Sequence, residues 1–334
     1  MRKNKYLTDP CAAPRTVAAL MSRELSLLSP RMTAREALAR LRQVGVPRDL
    51  FTNCYVVDEQ GRLLGLLTVR ALLSLPENAR LSAAIERPQA VLSPEDDPEE
   101  AAALLDRLDV SELPVTDPDG RLEGAFTAEA ALDILREEAT EDMERMAAIQ
   151  PSERPYLRTG VLELYRSRVV WLLLLMVSAS FTGAIITYFE DALAAQVVLT
   201  AFIPMLMDTG GNCGSQSSVT VIRGLSLGEI PPTGWWPVAW KEFQVGALCG
   251  LTLGVVNLAR LVLFTQVDFA VALVVTLTLL VTVVISKLLG GLLPMAASRL
   301  GLDPAVMASP LITTVADALS LLVYFQIAGA LLSL

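Results

Sequence analysis

Long apolar runs constrain the fold of this chain more than any other feature. Val169–Phe189 holds 21 residues without a charged side chain, and about 20 apolar residues span the hydrocarbon core of a bilayer as a helix. Four further runs follow, so we predict an α-helical polytopic membrane domain of five transmembrane helices over residues 167–334. These runs cover Ala192–Met207, Phe243–Val267 across Arg260, Phe269–Ser286, and Pro304–Leu334 across Asp317.

Charge is distributed unevenly between the two halves of the chain. Residues 1–150 hold 18 Lys/Arg and 26 Asp/Glu, a net charge of −8, whereas residues 151–334 hold 9 and 10. This asymmetry predicts an acidic soluble part followed by a membrane part, and it disfavours a nucleic-acid partner. The chain has no histidine, and its 4 cysteines lack zinc-site spacing. Most catalytic triads and zinc centres are therefore disfavoured, and reduced thiols are expected.

Basic residues mark one side of the predicted membrane domain, and by the positive-inside rule that side is cytoplasmic. The loops on the opposite side carry acidic residues only. We therefore predict a multi-pass protein of the cell membrane, with the N-terminal part in the cytoplasm and the C-terminus outside. The basic loop residues are Arg154, Arg158, Arg166, Arg168, Arg223, Lys241 and Arg299, and the opposing acids are Glu190, Asp191 and Asp268.

Asp317 is the most unusual residue of the last apolar run. It lies 14 residues after Asp303, or about 20 Å of helical rise, which is deep in a hydrocarbon core about 30 Å thick. A carboxylate at that depth is expected to face a bundle interior, water or an ion. Thr313 shares its helix face, and stacked oxygen ligands suit a hard cation. The alternative is a buried ion pair with Lys287 or Arg260.

A polar segment, PMLMDTGGNCGSQSS at residues 204–218, follows the second apolar run. Its glycines either allow helices to approach closely or break helical hydrogen bonding, so that carbonyl groups line a cavity. Asn212 and Gln216 are four residues apart and share a helix face, and Asp208 lies about one turn before Asn212. Because an acid is costly in a membrane, Asp208 favours a polar pathway over ordinary packing of small residues.

The soluble part contains an internal repeat. The pattern D-x-x-G-R-L-x-G occurs at Asp58–Gly65 and again at Asp117–Gly124. Each copy predicts a strand, a tight turn, a strand and a helix, with another helix before it. This duplicated α/β unit resembles a tandem pair of CBS domains, which we place at residues 16–82 and 83–136 after a tail over residues 1–15.

CBS pairs commonly bind adenosine nucleotides, so the resemblance raises the possibility that this chain has a nucleotide site. In that family a G-x-x-T/S-x-x-D turn supplies an aspartate to the ribose. The corresponding positions here are Ala71 and Ala130. A nucleotide partner is therefore not expected.

An acidic segment joins the two parts, and we assign residues 137–166 to a connecting helix and linker. Glu138, Glu141 and Asp142 are spaced to share one helix face, where like charges repel unless a cation neutralises them. A solvated acidic linker is the alternative. An extended turn and an amphipathic basic helix then lead into the membrane.

Several long segments together resemble the MgtE family of magnesium channels. They are EEATEDMERM, PYLRTGVLELYRSRVVWL, FIPMLMDTGGNCGSQSSVTVIRGLSLGEI and GGLLPMAASRLGLDPAVMASPLITTVADALSLLVYF. The resemblance covers the CBS pair, the connecting helix and the five predicted spans. It implies a homodimer with a pore on the two-fold axis, lined by the second and fifth membrane helices.

The same resemblance implies site residues. Asp317 would coordinate hydrated Mg²⁺, the expected ligand, together with Thr313, Asn212 and Gly211. Asp303, and with it Asp208, would lie at the cytoplasmic mouth. The connecting helix would act as a plug that closes when Mg²⁺ fills regulatory acidic sites, for which the candidates are Glu138, Glu141, Asp142, Asp133, Asp109 and Asp106.

Two departures from the family pattern bear on regulation. The family usually carries a superhelical acidic domain before the CBS pair, and fewer than 20 residues precede the pair here. Ala128–Ala131 stands where the family has a VDD turn, so one sensing acid is lost. We expect gating by cytosolic Mg²⁺ to be weakened or shifted.

Together these features predict passive Mg²⁺ uptake driven by the membrane potential, without enzymatic activity. No GxxxxGK[ST] motif for an ATPase occurs in the sequence. The alternatives are a transporter for Co²⁺ or Mn²⁺, an ion-coupled carrier, an intramembrane enzyme using Asp208 and Asp317, and a receptor that signals through its CBS pair.

Overall fold

The computed structural model describes residues 16–44, 53–152, 154–265, 267–307 and 309–332. The chain forms two compact units, Met1–Ala139 and Thr140–Leu334. The first is an α/β unit and the second is helical, which confirms the predicted fold class. The predicted N-terminal tail, with Cys11, lies outside the described residues.

The first unit repeats one α/β motif. Its first sheet has the order β1-β2-β3, with β1 parallel to β2 and β2 antiparallel to β3, and its second sheet pairs β4 with β5 antiparallel. The two hairpins have the same register, since Asn53 faces Thr68 and Glu112 faces Thr127. The elements are α1 (Val17–Leu20), β1 (Leu27–Leu28), α2 (Ala34–Val44), β2 (Asn53–Val57), β3 (Leu63–Thr68), α3 (Val69–Ser74), α4 (Pro98–Leu108), β4 (Glu112–Thr116), β5 (Leu122–Thr127) and α5 (Ala128–Met146).

The repeated D-x-x-G-R pattern forms the hairpin turns. The carboxylates of Asp58 and Asp117 accept a hydrogen bond from the backbone N–H four residues later, at 2.8 and 2.7 Å. Gly61 and Gly120 adopt positive φ angles of 81° and 79°, a conformation that glycine reaches without a steric cost. The sequence repeat therefore reflects two hairpin turns with the same hydrogen bond and the same glycine conformation.

Helix α5 crosses the predicted boundary between the CBS pair and the connecting helix. It runs without a break through residues 136 and 137, where we expected the CBS pair to end and the connecting helix to begin. None of its 19 residues is Gly or Pro, so nothing ends the helix there, and the domain boundary stays a prediction.

The helical unit contains five long helices within the described ranges. Four of them are long and apolar enough to cross a membrane. The fifth, α8, has 24 residues and is therefore about 36 Å long, but its composition is more polar. The helices are α6 (Val161–Tyr188), α7 (Glu190–Ala195), α8 (Ile203–Ser226), α9 (Trp235–Arg260), α10 (Phe269–Arg299) and α11 (Ser309–Leu332).

The bounds of the first two predicted spans require correction. The basic helix and the first span are one helix, α6, which begins at Val161. The run Ala192–Met207 is not a span, because it is divided among α7, a 3₁₀ turn at Val197–Phe202 and the start of α8. Pro204 lies in the first turn of α8, where proline suits a helix start. The polar segment is consequently placed inside a helix.

Helix α10 is central to the unit and packs against α8, α9 and α11. Glycines set these packing distances. A Cβ atom on Gly290 would collide with the carbonyl oxygen of Gly214, and one on Gly210 would lie 3.0 Å from Ser320 Oγ. Because α8 is continuous, the first of the two roles considered for its glycines, close helix approach, is the one observed.

Candidate functional site

A stripe of polar side chains runs along α8. Asp208, Asn212, Gln216 and Thr220 recur every four residues and are exposed, whereas the glycine face of the same helix is buried. Hydrocarbon cannot hydrogen-bond these groups, so a polar stripe on a membrane helix has to face water or protein. We call these four residues the polar stripe.

Helix α11 brings the predicted ion ligands to the polar stripe. Thr313 packs on Gly211, where a Cβ atom would lie 2.9 Å from Thr313 Cγ2. One turn further along α11, Asp317 is close enough to Asp208 for their charges to interact. Asn212 Nδ2 donates a hydrogen bond to Asp208 Oδ2 at 3.2 Å. The predicted ligands therefore lie within one short region between α8 and α11.

Neither basic residue considered as a partner of Asp317 neutralises it. Lys287 Nζ donates to Gln216 Oε1 at 3.2 Å, and Arg260 Nη2 donates to Asn257 Oδ1 at 2.9 Å. Within the described ranges, no ion pair includes Asp317. Its carboxylate is half-buried and remains available to a cation.

The hydroxyl group of Thr313 is also available as an oxygen ligand. It donates to the carbonyl oxygen of Pro310 at 2.9 Å, which uses its hydrogen and leaves the oxygen lone pairs free. A carboxylate and a hydroxyl oxygen one turn apart form a donor set for a hard cation such as Mg²⁺ or Ca²⁺.

Asp303 and Asp208, which were predicted together at a cytoplasmic mouth, make different contacts. Asp303 forms an ion pair with Arg145 in the last turn of α5, and Arg145 also pairs with Glu141. Asp208 instead lies beside Asp317. The placement of both acids at a cytoplasmic mouth stays a prediction.

The last turn of α5 belongs to the helical unit and makes further contacts within it. Asp142 accepts a hydrogen bond from Ser226 Oγ at 3.3 Å, at the end of α8. Met146 packs against Ile222 and Ala305. Burial raises the pKa of Asp142 above its usual range, against the opposing effect of the hydrogen bond from Ser226. This turn covers the end of the bundle at which α8 finishes and α11 begins.

The proposed regulatory acids are not gathered into a metal site in the single chain. Among the described residues, no three Asp, Glu or Cys side chains lie close enough together to hold a metal ion. Asp133 forms an ion pair with Arg136 at 3.6 Å, and Asp106 and Asp109 are exposed near the end of α4. The charge of Glu141 is neutralised by the ion pair with Arg145, so it does not require a metal ion.

Three features escaped the sequence reasoning. Arg145 and Asp303 are 158 residues apart, and no local pattern links them. The contact of Lys287 with Gln216 likewise joins two separate helices. Glu112 lies on β4 with only 4% exposure, and burial raises its pKa to about 7. Its signal was available, because this glutamate is followed in the strand by three apolar residues.

Comparisons with known proteins match both units. The protein-family model "MgtE: Divalent cation transporter" matches residues 203–327, and the CBS domain model matches residues 17–78 and 82–137. The magnesium transporter MgtE of Thermus thermophilus is 34% identical over 313 residues, covering 94% of this chain and 69% of that protein. Its namesake from Bacillus subtilis is 34% identical over 305 residues, covering 89% of this chain and 65% of that protein.

Two solved structures are similar to part of the chain. The cytosolic domain of the Mg²⁺ channel MgtE in complex with ATP is 34% identical, with a TM-score of 0.34 and coverage of 35% of this chain and 47% of that one. The soluble part of a magnesium transporter is 26% identical, with a TM-score of 0.36 and coverage of 37% and 48%.

Proposed function

The chain belongs to the MgtE family of divalent cation transporters, and we propose that it conducts Mg²⁺ through a pore between two copies of its helical unit. The polar stripe beside Asp317 carries this proposal, because it leaves four polar side chains exposed on a membrane helix. If a two-fold axis runs along the stripe, the polar side chains of one copy would face those of a second copy of the chain. The membrane potential supplies about 2.3 kcal/mol per charge per 100 mV, enough to drive passive uptake.

The acids at the proposed pore suit a cation that keeps its water shell. Mg²⁺ loses water reluctantly and is usually bound through one or two carboxylates. Asp317 and Asp208 from two copies would surround the axis with carboxylates, which attract a divalent ion without stripping it. The chain has no histidine, so no imidazole ligand is available beside Asp317, and oxygen ligands favour Mg²⁺ over the softer Co²⁺.

The proposed topology follows from the same family membership. The protein is a multi-pass membrane protein with cytosolic CBS domains, and the basic loops support a C-terminus on the outer side. Ala71 and Ala130 remove the ribose-binding carboxylates, which supports a CBS pair that does not use ATP as its regulator. Calorimetric titration of the protein with ATP tests this point.

Purified protein in liposomes is expected to show potential-driven Mg²⁺ influx, and Asp208→Asn should reduce it roughly tenfold. The loss of about 1.4 kcal/mol of attraction at the pore corresponds to that factor. Influx is measured with an enclosed Mg²⁺ dye, with Co²⁺ or Mn²⁺ as competitors. Asp268→Asn is the matched control, since Asp268 is an exposed helix cap and asparagine caps equally well.

Three outcomes would contradict this proposal. Wild-type liposomes without Mg²⁺ influx would exclude the transport function. Faster entry of Co²⁺ or Mn²⁺ would exclude Mg²⁺ as the preferred ion, and a requirement for a proton or sodium gradient would indicate a coupled carrier.

We also propose that the last turn of α5 closes the pore at Asp303. Arg145→Met removes the ion pair with Asp303, and Mg²⁺ influx should rise roughly threefold, because a partly exposed pair contributes at most about 1 kcal/mol. Arg154→Met is the control, since the Arg154–Glu163 pair at 3.4 Å is exposed. Equal influx in both variants would mean that this contact does not restrain the pore.

A further inference from the structure

A buried lysine lies in the middle of α10. Lys287 is 6% exposed, and its ammonium group donates to Gln216 Oε1 at 3.2 Å. Within the part of the chain that the structure describes, no ion pair includes it. Burying a charge in a membrane bundle is costly, and such residues usually serve the pathway of the transported species.

The surrounding helices are built to hold this lysine beside α8. A Cβ atom on Gly246 of α9 would lie 3.1 Å from Val284 Cα and 3.4 Å from Lys287 Cβ, so the glycine lets α9 pack closely on α10 beside the lysine. One turn away on α9, Glu242 Oε2 accepts a hydrogen bond from Ser217 Oγ at 2.6 Å. Gln216 and Ser217 are therefore each tied to a different neighbouring helix.

The chemistry of lysine fixes the orientation of the Gln216 amide. A lysine ammonium group has three donors and no acceptor, so the group that faces it has to be the amide oxygen. The amide nitrogen then points away from Lys287. Gln216 belongs to the exposed polar stripe, and it lies eight residues, or about 12 Å of helical rise, from Asp208.

We propose that Lys287 is a positioning residue that turns the N–H donors of Gln216 toward the ion pathway and so creates a barrier to hydrated Mg²⁺. This inference rests on the proposed transport function. The waters bound to Mg²⁺ direct their hydrogens outward and require acceptors, as carboxylates and carbonyls provide. A donor at Gln216 disfavours the hydrated ion there, whereas the acids around Asp317 favour it.

The test is the concentration dependence of Mg²⁺ influx in liposomes. Lys287→Met keeps the side-chain length and frees the Gln216 amide to rotate. The amide oxygen can then face the ion pathway in place of the N–H donors on each subunit, so the maximal influx should rise roughly fivefold. The half-saturating Mg²⁺ concentration should stay unchanged, because Asp317 is untouched. Lys287→Arg retains a donor and should behave as wild type. The exposed Lys241→Met makes the same charge change and should have no effect.

A double variant separates positioning from charge. The rise produced by Lys287→Met should vanish when Gln216→Leu is also present, and a rise that persists undiminished would overturn the inference. If Lys287→Met does not fold, Gln216→Glu keeps the lysine and supplies an acceptor, and unchanged influx in that variant overturns the inference. Absence of influx in wild type instead rejects the proposed function itself.

Discussion

Asp317→Asn protein is expected to insert and fold but to lose Mg²⁺ influx roughly a hundredfold, about tenfold for each of two subunits. Asparagine preserves the shape of the side chain, and within the described ranges no ion pair depends on Asp317. The substitution therefore removes charge from the ion pathway and leaves the packing intact. Liposome flux and growth of a strain without its own Mg²⁺ uptake both measure the effect.

The matched control for this prediction is Asp191→Asn. Asp191 is an exposed acid in the first turn of α7, so its substitution makes the same change in net charge away from the polar stripe. Normal influx through folded Asp317→Asn protein would mean that the ions do not pass this carboxylate. The pore would then have to be sought elsewhere in the helical unit.

Gly290→Ala is expected to prevent stable packing of the helical unit. The new Cβ atom would collide with the backbone carbonyl oxygen of Gly214, and a backbone atom cannot move aside as a side chain can. Overpacking typically costs about 1–3 kcal/mol, and a clash between two helix backbones is at the upper end. Thermal unfolding in detergent and elution as a single species from a sizing column measure the loss.

Gly183→Ala provides the matched control. Gly183 lies inside α6, and nothing stands within 4 Å of a Cβ atom built there. Alanine is a better helix former than glycine by about 1 kcal/mol, so this variant should be as stable as wild type or more stable. Equal stability of Gly290→Ala and Gly183→Ala would show that α8 and α10 do not approach as closely as the contact of Gly290 with Gly214 indicates.

The sequence predicted helices wherever hydrophobicity alone determines them. The first and fourth apolar runs correspond to α6 and α10, although both helices extend beyond the uncharged stretch. The span predicted from the second run was wrong because it ends before Asp208, whereas α8 continues through Asp208 to Ser226. Polar residues and glycines alternate around α8 with the helical period, and an average along the chain cannot separate its exposed face from its buried one.

The candidate site was predictable only within single helices. Thr313 and Asp317 share a face by their spacing of four residues, and the structure places both beside α8. The contacts of Arg145 with Asp303 and of Lys287 with Gln216 depend on how distant segments pack. Such pairings are set by tertiary structure, and a single sequence carries no record of them.

The polar composition of α8 has a consequence for biosynthesis. As the ribosome delivers this segment to the insertion machinery, it meets lipid before the later helices have been made. Its donors and acceptors make that contact unfavourable. The glycines that α8 needs for docking face α10 and α11, which are translated afterwards. We therefore expect α8 to wait at the translocon until α10 emerges, so that the two enter the bilayer together.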